Sequence, residues 1–508
     1  MRLNNIKILV IAILLFSQKG IAQLTNLNKE SWVSDIDYLV KKTQNIVPDF
    51  KSHPQSTEFL KRAELLKQGI TSKSNQEILF EIQHLLNSIE DEGCNIIPFQ
   101  KKLDTKVLPI KTYWFNDGLY ICDASSNYNT LKGEKILKIN DLDVDDVFLK
   151  LSEYINTDNV FYKKYLFSIY STMPALLMSR GIGNFNDKIL LEFASGRKAT
   201  IKAESVTEYV KLDRMLPNDG RFSFTNTNHK NDNFWKEYIP NTNTLFVQVQ
   251  KVVNNKKGIS FSSFVKAIEG EIKKGNAKKI IIDVRYGGGG NGFKLKPFTD
   301  LLKNSKEINK KGNLFVLTSK ATRGTLLELT SIISLNTKSI IIGEPTAEGP
   351  NTVGDTKYIK LPNSELNISL TNVFWPTSWN FDKRKTIKPD IRIDYSFNQY
   401  KNNEDPWILA VTNHEVISKN KSVPNNLINA FIGSYKTNKR KIILKNKNGK
   451  LFMYMRRKIK SFFEFETEIF YSEEGMLTTD IKDVTLSYSS TKNNKLILNW
   501  KGNIITLK

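Results

Sequence analysis

The chain has 508 residues, 40% of them apolar and 25% charged, which fits globular modules and excludes a disordered chain. One hydrophobic core cannot serve that length, so roughly three or four modules are expected. Lys and Arg outnumber Asp and Glu by 75 to 52; the excess raises an anionic partner, but no nucleic-acid module signature accompanies it, so no nucleic acid is expected.

The chain starts with basic Arg2 and Lys7, an apolar run from Ile8 to Phe16, and small residues at Gly20-Ile21-Ala22. This pattern reads as a secretory signal peptide cleaved after Ala22, with the product in the periplasm or outside the cell. The run is too short for a membrane span, and no later segment reaches the ~18 apolar residues that a span needs. Cys94 and Cys122 are the two cysteines. They are too few for a disulfide framework or a zinc site; one bridge between them stays open. No metal and no cofactor is expected.

Residues 23–100 read as a helical region, with Val33, Ile36, Leu39 and Ile46 and then Ile78, Ile82, Leu85 and Leu86 at helical spacing. The period shortens over 101–235, where 119–122, 135–140, 188–193 and 199–203 read as strands around a helical insertion. Residues 236–400 alternate strand and helix: strands at 245–249, 279–284, 314–318 and 339–342, helices at 261–274 and from Thr325. Such alternation implies βαβ units around a largely parallel sheet, an α/β core. A polar linker with a short helix (401–425) leads to a C-terminal all-β domain, barrel or sandwich (426–508), with Asn448-Gly449 as a hairpin turn. Within it residues 436–460 carry eleven basic and no acidic residues, a solvated face or a contact for an anionic surface.

The sharpest local signal is Ile280-Ile281-Ile282-Asp283-Val284-Arg285-Tyr286-Gly287-Gly288-Gly289-Gly290-Asn291. Gly287, Gly289 and Gly292 satisfy a dinucleotide fingerprint formally, but a strand ending in two charged residues argues against it, and no Gly-Lys-Ser/Thr follows. The alternative is a cradle in which Gly287, Gly288, Gly289, Gly290 and Asn291 offer main-chain N–H groups to a substrate.

That stretch resembles the signature of the tail-specific (C-terminal-processing and tricorn-like) serine peptidases. The resemblance continues, in order, at 316–322, at Ile342-Gly343-Glu344-Pro345-Thr346, at Leu361-Pro362-Asn363-Ser364 and at Lys388-Pro389-Asp390-Ile391. It covers about residues 30–400 and implies a crotonase-like core, a PDZ-like region including Gly133 to Asn140, and serine-type proteolysis. Where such peptidases carry the nucleophile this chain has Gly324, in Thr322-Arg323-Gly324-Thr325. Where tricorn-like members have the base histidine it has Cys94, and where Ser-Lys members have the lysine it has Glu348. Thr325 is the fallback nucleophile, though one residue late on a helix means about 100° of rotation. None of His53, His84, His229 and His414 matches a position of the resemblance.

Three readings follow. The first is a binding protein for extended peptides or protein termini with its proteolytic chemistry lost. The second is a peptidase acting through a relocated Thr325 or Cys94. The third is a surface-adhesion protein using the basic β domain.

Overall fold

The computed structural model describes residues 27–507, apart from 98–105, 184–186, 213–231, 256–257, 380–381, 416–420, 438–439, 457–464, 472–475, 480, 482 and 490–494. Residues 1–22, expected as a signal peptide, and His229 lie outside the described residues. No described helix is long and apolar enough to cross a membrane. The chain forms two compact units, Met1–Met215 with Val353–Phe374, and Leu216–Thr352 with Trp375–Lys508.

The first unit opens with helices Lys29–Ile46, Ser56–Gln68 and Asn75–Asn87. Asn28 caps the first by accepting from the Ser31 N–H, and the third has a capping box in which Ser74 and Glu77 satisfy each other's backbone N–H groups. Their apolar faces meet in one core: Trp32, Ile36, Phe59, Ile78, Ile82 and Leu86 pack with Leu361, Leu366, Ile368 and Leu370. The last four flank a turn that the helices grip directly. Buried Asp35 accepts hydrogen bonds from the Asn363 and Ser364 N–H groups, both at 2.8 Å. A second core lies under a sheet of order Ile110–Phe115, Gly118–Ala124, Lys135–Ile139, Lys188–Phe193, Lys198–Lys202. Helices Val144–Ser152, Val160–Tyr170 and Pro174–Ser179 contribute Val147, Leu151, Phe167 and Leu177 to it.

The second unit contains the expected α/β core. Its sheet runs Phe234–Ile239, Thr244–Val249, Lys279–Asp283, Leu314–Thr318, Ile340–Gly343, Ile391–Arg392. The first pair is antiparallel and every later pair is parallel. All five residues of Leu314–Thr318 are buried, as a strand covered on both faces requires, and this is why the sequence reads as an unbroken apolar run. Helices Phe261–Lys273, Lys296–Asn304 and Gly324–Asn336 make the crossovers. The last is buried on nearly every side. It gives Leu326, Leu329 and Ile333 to the sheet, Leu327 to a cluster with Ile341 and Ile387, and Leu335 to the C-terminal domain. It begins at Gly324, one residue before the expected start.

The segment expected as a linker is partly helical. Ser396 and Gln399 form a capping box for Phe397–Lys401, and Asp405 caps Pro406–Thr412. The C-terminal residues form an antiparallel meander from Gly433–Thr437 to Asn503–Leu507, whose first and last strands come against each other. Asn448 and Gly449, at φ of 55° and 75°, make the expected hairpin turn.

Candidate functional site

Strands Lys279–Asp283, Leu314–Thr318 and Ile340–Gly343 are parallel neighbours. The loops leaving their carboxyl ends therefore emerge at one edge, and they carry the glycine ribbon, Gly324 and Glu348 respectively. This is the edge at which open α/β sheets place ligands.

What fixes the ribbon is a buried ion cluster. Arg285, 1% exposed, reaches both oxygens of Asp283 through Nε and Nη2 at 3.0 and 2.8 Å. Its Nη1 and Nη2 donate to Asp405 at 3.0 and 2.9 Å, and its guanidinium lies 4.9 Å from the Trp407 ring centre. Burial works against the guanidinium charge. The Asp283 and Asp405 carboxylates outweigh it and hold Arg285 above its ordinary range. The charged pair at the strand end is thus a fixture of the fold, joined to a partner 120 residues downstream.

The four glycines are not equivalent. A Cβ on Gly288 would lie 2.3 Å from the Arg323 carbonyl oxygen, and one on Gly290 would lie 2.6 Å from the Val252 nitrogen. Each forms a parallel bridge with that residue, so close approach of the chain to itself accounts for both. Gly289, at φ of 99°, has open space where its side chain would be. Among the described residues no acceptor receives the Gly288 or Gly290 N–H. The register of the Gly288–Arg323 bridge turns the Gly289 N–H towards the Arg323 carbonyl. Asn291 serves the local backbone: its N–H donates to the Val252 carbonyl and its side chain accepts from the Phe293 N–H, both at 3.0 Å.

Gly324 sits against this ribbon. A Cβ on it would be 3.2 Å from the Gly289 nitrogen, and its φ is 54°, in the left-handed region that favours glycine. Its N–H donates to Glu348 Oε2 at 3.2 Å. A carboxylate on the first N–H of a helix is favourable, since it answers an orphan donor and the positive end of the dipole. The Glu348 loop is itself tied down. Thr346 Oγ1 donates to the Glu348 carbonyl at 2.8 Å and accepts from the Ile387 N–H at 2.8 Å. Thr325 Oγ1 donates to the Gly290 carbonyl at 3.1 Å, so its hydroxyl is engaged in holding the ribbon.

The structure brings Gly287–Gly290, Gly324, Thr325 and Glu348 together in one unit, while Cys94 belongs to the other. There Cys94 is fully buried, with Sγ 3.5 Å from Thr371 Oγ1, and Thr371 in turn donates to Asp91. Burial, followed by the Asp91 charge, pushes its thiol far above the ordinary range, the reverse of what a nucleophilic cysteine needs. Cys94 and Cys122 are both buried and are not joined by a disulfide in this structure. His84 stacks on Tyr154, and the His414 ring meets Phe315 edge-on.

The basic run of the C-terminal domain is partly neutralised. Lys445 and Lys447 pair with Glu466 at 3.2 and 3.3 Å, and Lys450 pairs with Glu468 at 2.8 Å. The acidic partners stand on the next strand, outside the window that looked free of acid. Two further residues escaped the sequence reading. Asp405 carried only a helix-cap signal, and Glu328 stands one turn into the helix, with its carboxylate where a Gly292 side chain would be.

The described residues form a mixed α/β protein whose fold resembles that of tail-specific serine peptidases. Its structural neighbours are tail-specific serine peptidases. Mature CPAF superposes with a TM-score of 0.52 at 12% identity, over 76% of this chain and 96% of that one. The photosystem II D1 C-terminal processing protease gives 0.35 at 11% identity over 72% and 93%. A putative S41 protease from Bacteroides fragilis gives 0.28 at 14% identity over 61% and 84%. No protein-family model and no curated protein sequence matches the chain. The resemblance is thus one of fold.

Proposed function

We propose that this is an exported peptide-binding protein on a tail-specific serine peptidase scaffold whose proteolytic chemistry has been lost. In this reading residues 1–22 are the export signal, the parallel-sheet unit is a crotonase-like core, and the region around Gly133–Asn140 is a PDZ-like module. An extended peptide or a protein terminus would lie along Gly287–Gly290, using the Gly288 and Gly290 N–H groups as donors.

The observation that carries this reading is the contact between Gly324 and Glu348. Acyl transfer needs a hydroxyl or thiol beside a base and an oxyanion cradle. Here the residue beside the ribbon has no side chain, and the group facing it is a carboxylate engaged with a backbone N–H. The two fallback nucleophiles are poorly disposed, Thr325 by its bond to Gly290 and Cys94 by its burial.

The test uses the full mature chain with a fluorescent unfolded protein and with short peptides cut from it. Saturable binding without cleavage is expected. Gly289→Ala places a methyl group in the open space above the ribbon, at a backbone cost of roughly 1–3 kcal/mol for a side chain at φ of 99°, and should weaken binding about tenfold in a variant shown by calorimetry to be folded. Hydrolysis that persists through repurification would overturn the loss of chemistry. Unchanged affinity of Gly289→Ala would remove the ribbon from the binding site.

A further inference from the structure

The C-terminal sheet shares its core with two residues of the parallel-sheet unit. One is Leu335, on the helix that begins at Gly324, and the other is Trp379. Trp379 meets Trp500 edge-to-face, with ring centres 6.1 Å apart at 88°, and both are buried, at 3% and 0% exposed. From Trp379 the contacts run straight to the Glu348 loop. Asn351 Nδ2 donates to the Trp379 and Asp382 carbonyls at 2.6 and 3.0 Å, and its Oδ1 accepts from the Ser378 N–H at 3.0 Å. Buried Asp382 fixes Ser378 and Arg384, at 2.6 and 2.7 Å. The Arg384 carbonyl oxygen then lies where a Gly349 side chain would be, 1.8 Å from that Cβ position. Gly349 adjoins Glu348, whose carboxylate holds the Gly324 N–H.

We infer that the C-terminal sheet is a positioning element of the candidate site, with Trp500 acting through Trp379, Ser378, Asp382 and Arg384 on the loop that places Glu348 at Gly324. The alternative, an appended module that only covers apolar surface, needs burial of Trp500 but no particular geometry at residues 346–351. The proposal rests on the reading above only in calling that loop part of a binding site, and its test does not use a peptide.

The experiment is amide hydrogen exchange on the full chain, comparing the parent with Trp500→Phe, Trp500→Ala and Trp379→Phe. An edge-to-face aromatic pair is worth enough to change a local opening equilibrium by about three- to tenfold. Trp500→Ala should therefore lower protection at the amides of 347–349, 351, 378–379 and 382–384 by that factor, with the strands 279–283 and 314–318 unaffected. Trp500→Phe should restore most of the protection. Trp379→Phe approaches from the other side, leaves the sheet's own strands intact, and keeps the test decisive should Trp500→Ala fail to fold. Faster exchange confined to the C-terminal strands, with 347–351 unchanged in all three variants, would overturn the proposal. Loss of loop protection without any peptide binding in the parent would sustain it and count only against the peptide-binding reading.

Discussion

The substitution that bears most directly on the site is Gly324→Ser, which puts a hydroxyl back beside the ribbon. Its cost can be worked from the backbone. Gly324 has φ of 54°, and a residue with a Cβ pays roughly 1–2 kcal/mol there. The new Cβ would also stand 3.2 Å from the Gly289 nitrogen, tight enough that the ribbon must give by a few tenths of an ångström. About 2 kcal/mol in all should lower the melting temperature by roughly 4–8 °C, readable by scanning calorimetry. No hydrolysis of an unfolded protein is expected, because the facing group is still the Glu348 carboxylate, bound to the Gly324 N–H. The double variant Gly324→Ser/Glu348→Lys supplies a candidate base and is the proper comparison for any rate. Turnover by Gly324→Ser alone, well above the parent, would refute the reasoning, since a working base would then have to exist. A melting temperature equal to or above the parent's would refute the backbone part separately.

Three further outcomes follow from the same geometry. Burial lowers the Lys501 pKa to about 8, so below pH 8 the fold carries the cost of holding that charge, and the cost fades as pH rises from about 8 to the ordinary lysine value near 10.5. Lys501, in a turn and only partly buried, should when changed to Met stabilise the fold by about 1 kcal/mol at neutral pH and by almost nothing above pH 10.5, as chemical denaturation at several pH values will read. Asp405→Asn leaves the buried Arg285 paired with Asp283 alone and weakens its two bonds to residue 405, which should cost about 1–3 kcal/mol; no measurable loss would mean that Asp405 does not help to hold the strand end. Both thiols are buried and free, so a thiol reagent at pH 8 should label Cys94 only on unfolding, and rapid labelling of the native protein would restore it as a candidate nucleophile.

Much of the fold was legible because local and global signals agree. The parallel strands are unbroken apolar runs as their burial on both faces requires, and the Asn448-Gly449 turn has the left-handed backbone that its residues favour. The edge that carries the ribbon follows from βαβ order alone. The roles within that edge did not follow. Gly288 and Gly290 could be read as donors of a ligand cradle, but not as residues whose missing side chains also make room for Arg323 and Val252, contacts set by tertiary packing. Glu348 could be read as a carboxylate in place of a lysine, but not as the acceptor of the Gly324 N–H 24 residues upstream. The basic run looked uncompensated because Glu466 and Glu468 meet it only through strand pairing.

These corrections narrow what the glycine ribbon can be. If all four glycines served a ligand, the loop would be expected to be held loosely and shaped on binding. Instead two are packed against the chain, the strand end is locked by Arg285 between two carboxylates, and Thr325 ties the helix start to Gly290. What is left open is narrow: the space over Gly289 and the N–H groups on either side of it. A rigid strip of that kind suits an extended backbone, which needs few donors at fixed spacing and little adjustment, far better than a cofactor that must be wrapped. The same rigidity explains why a carboxylate is tolerated at 348. On a fixed helix start it satisfies a donor that would otherwise need water or another partner.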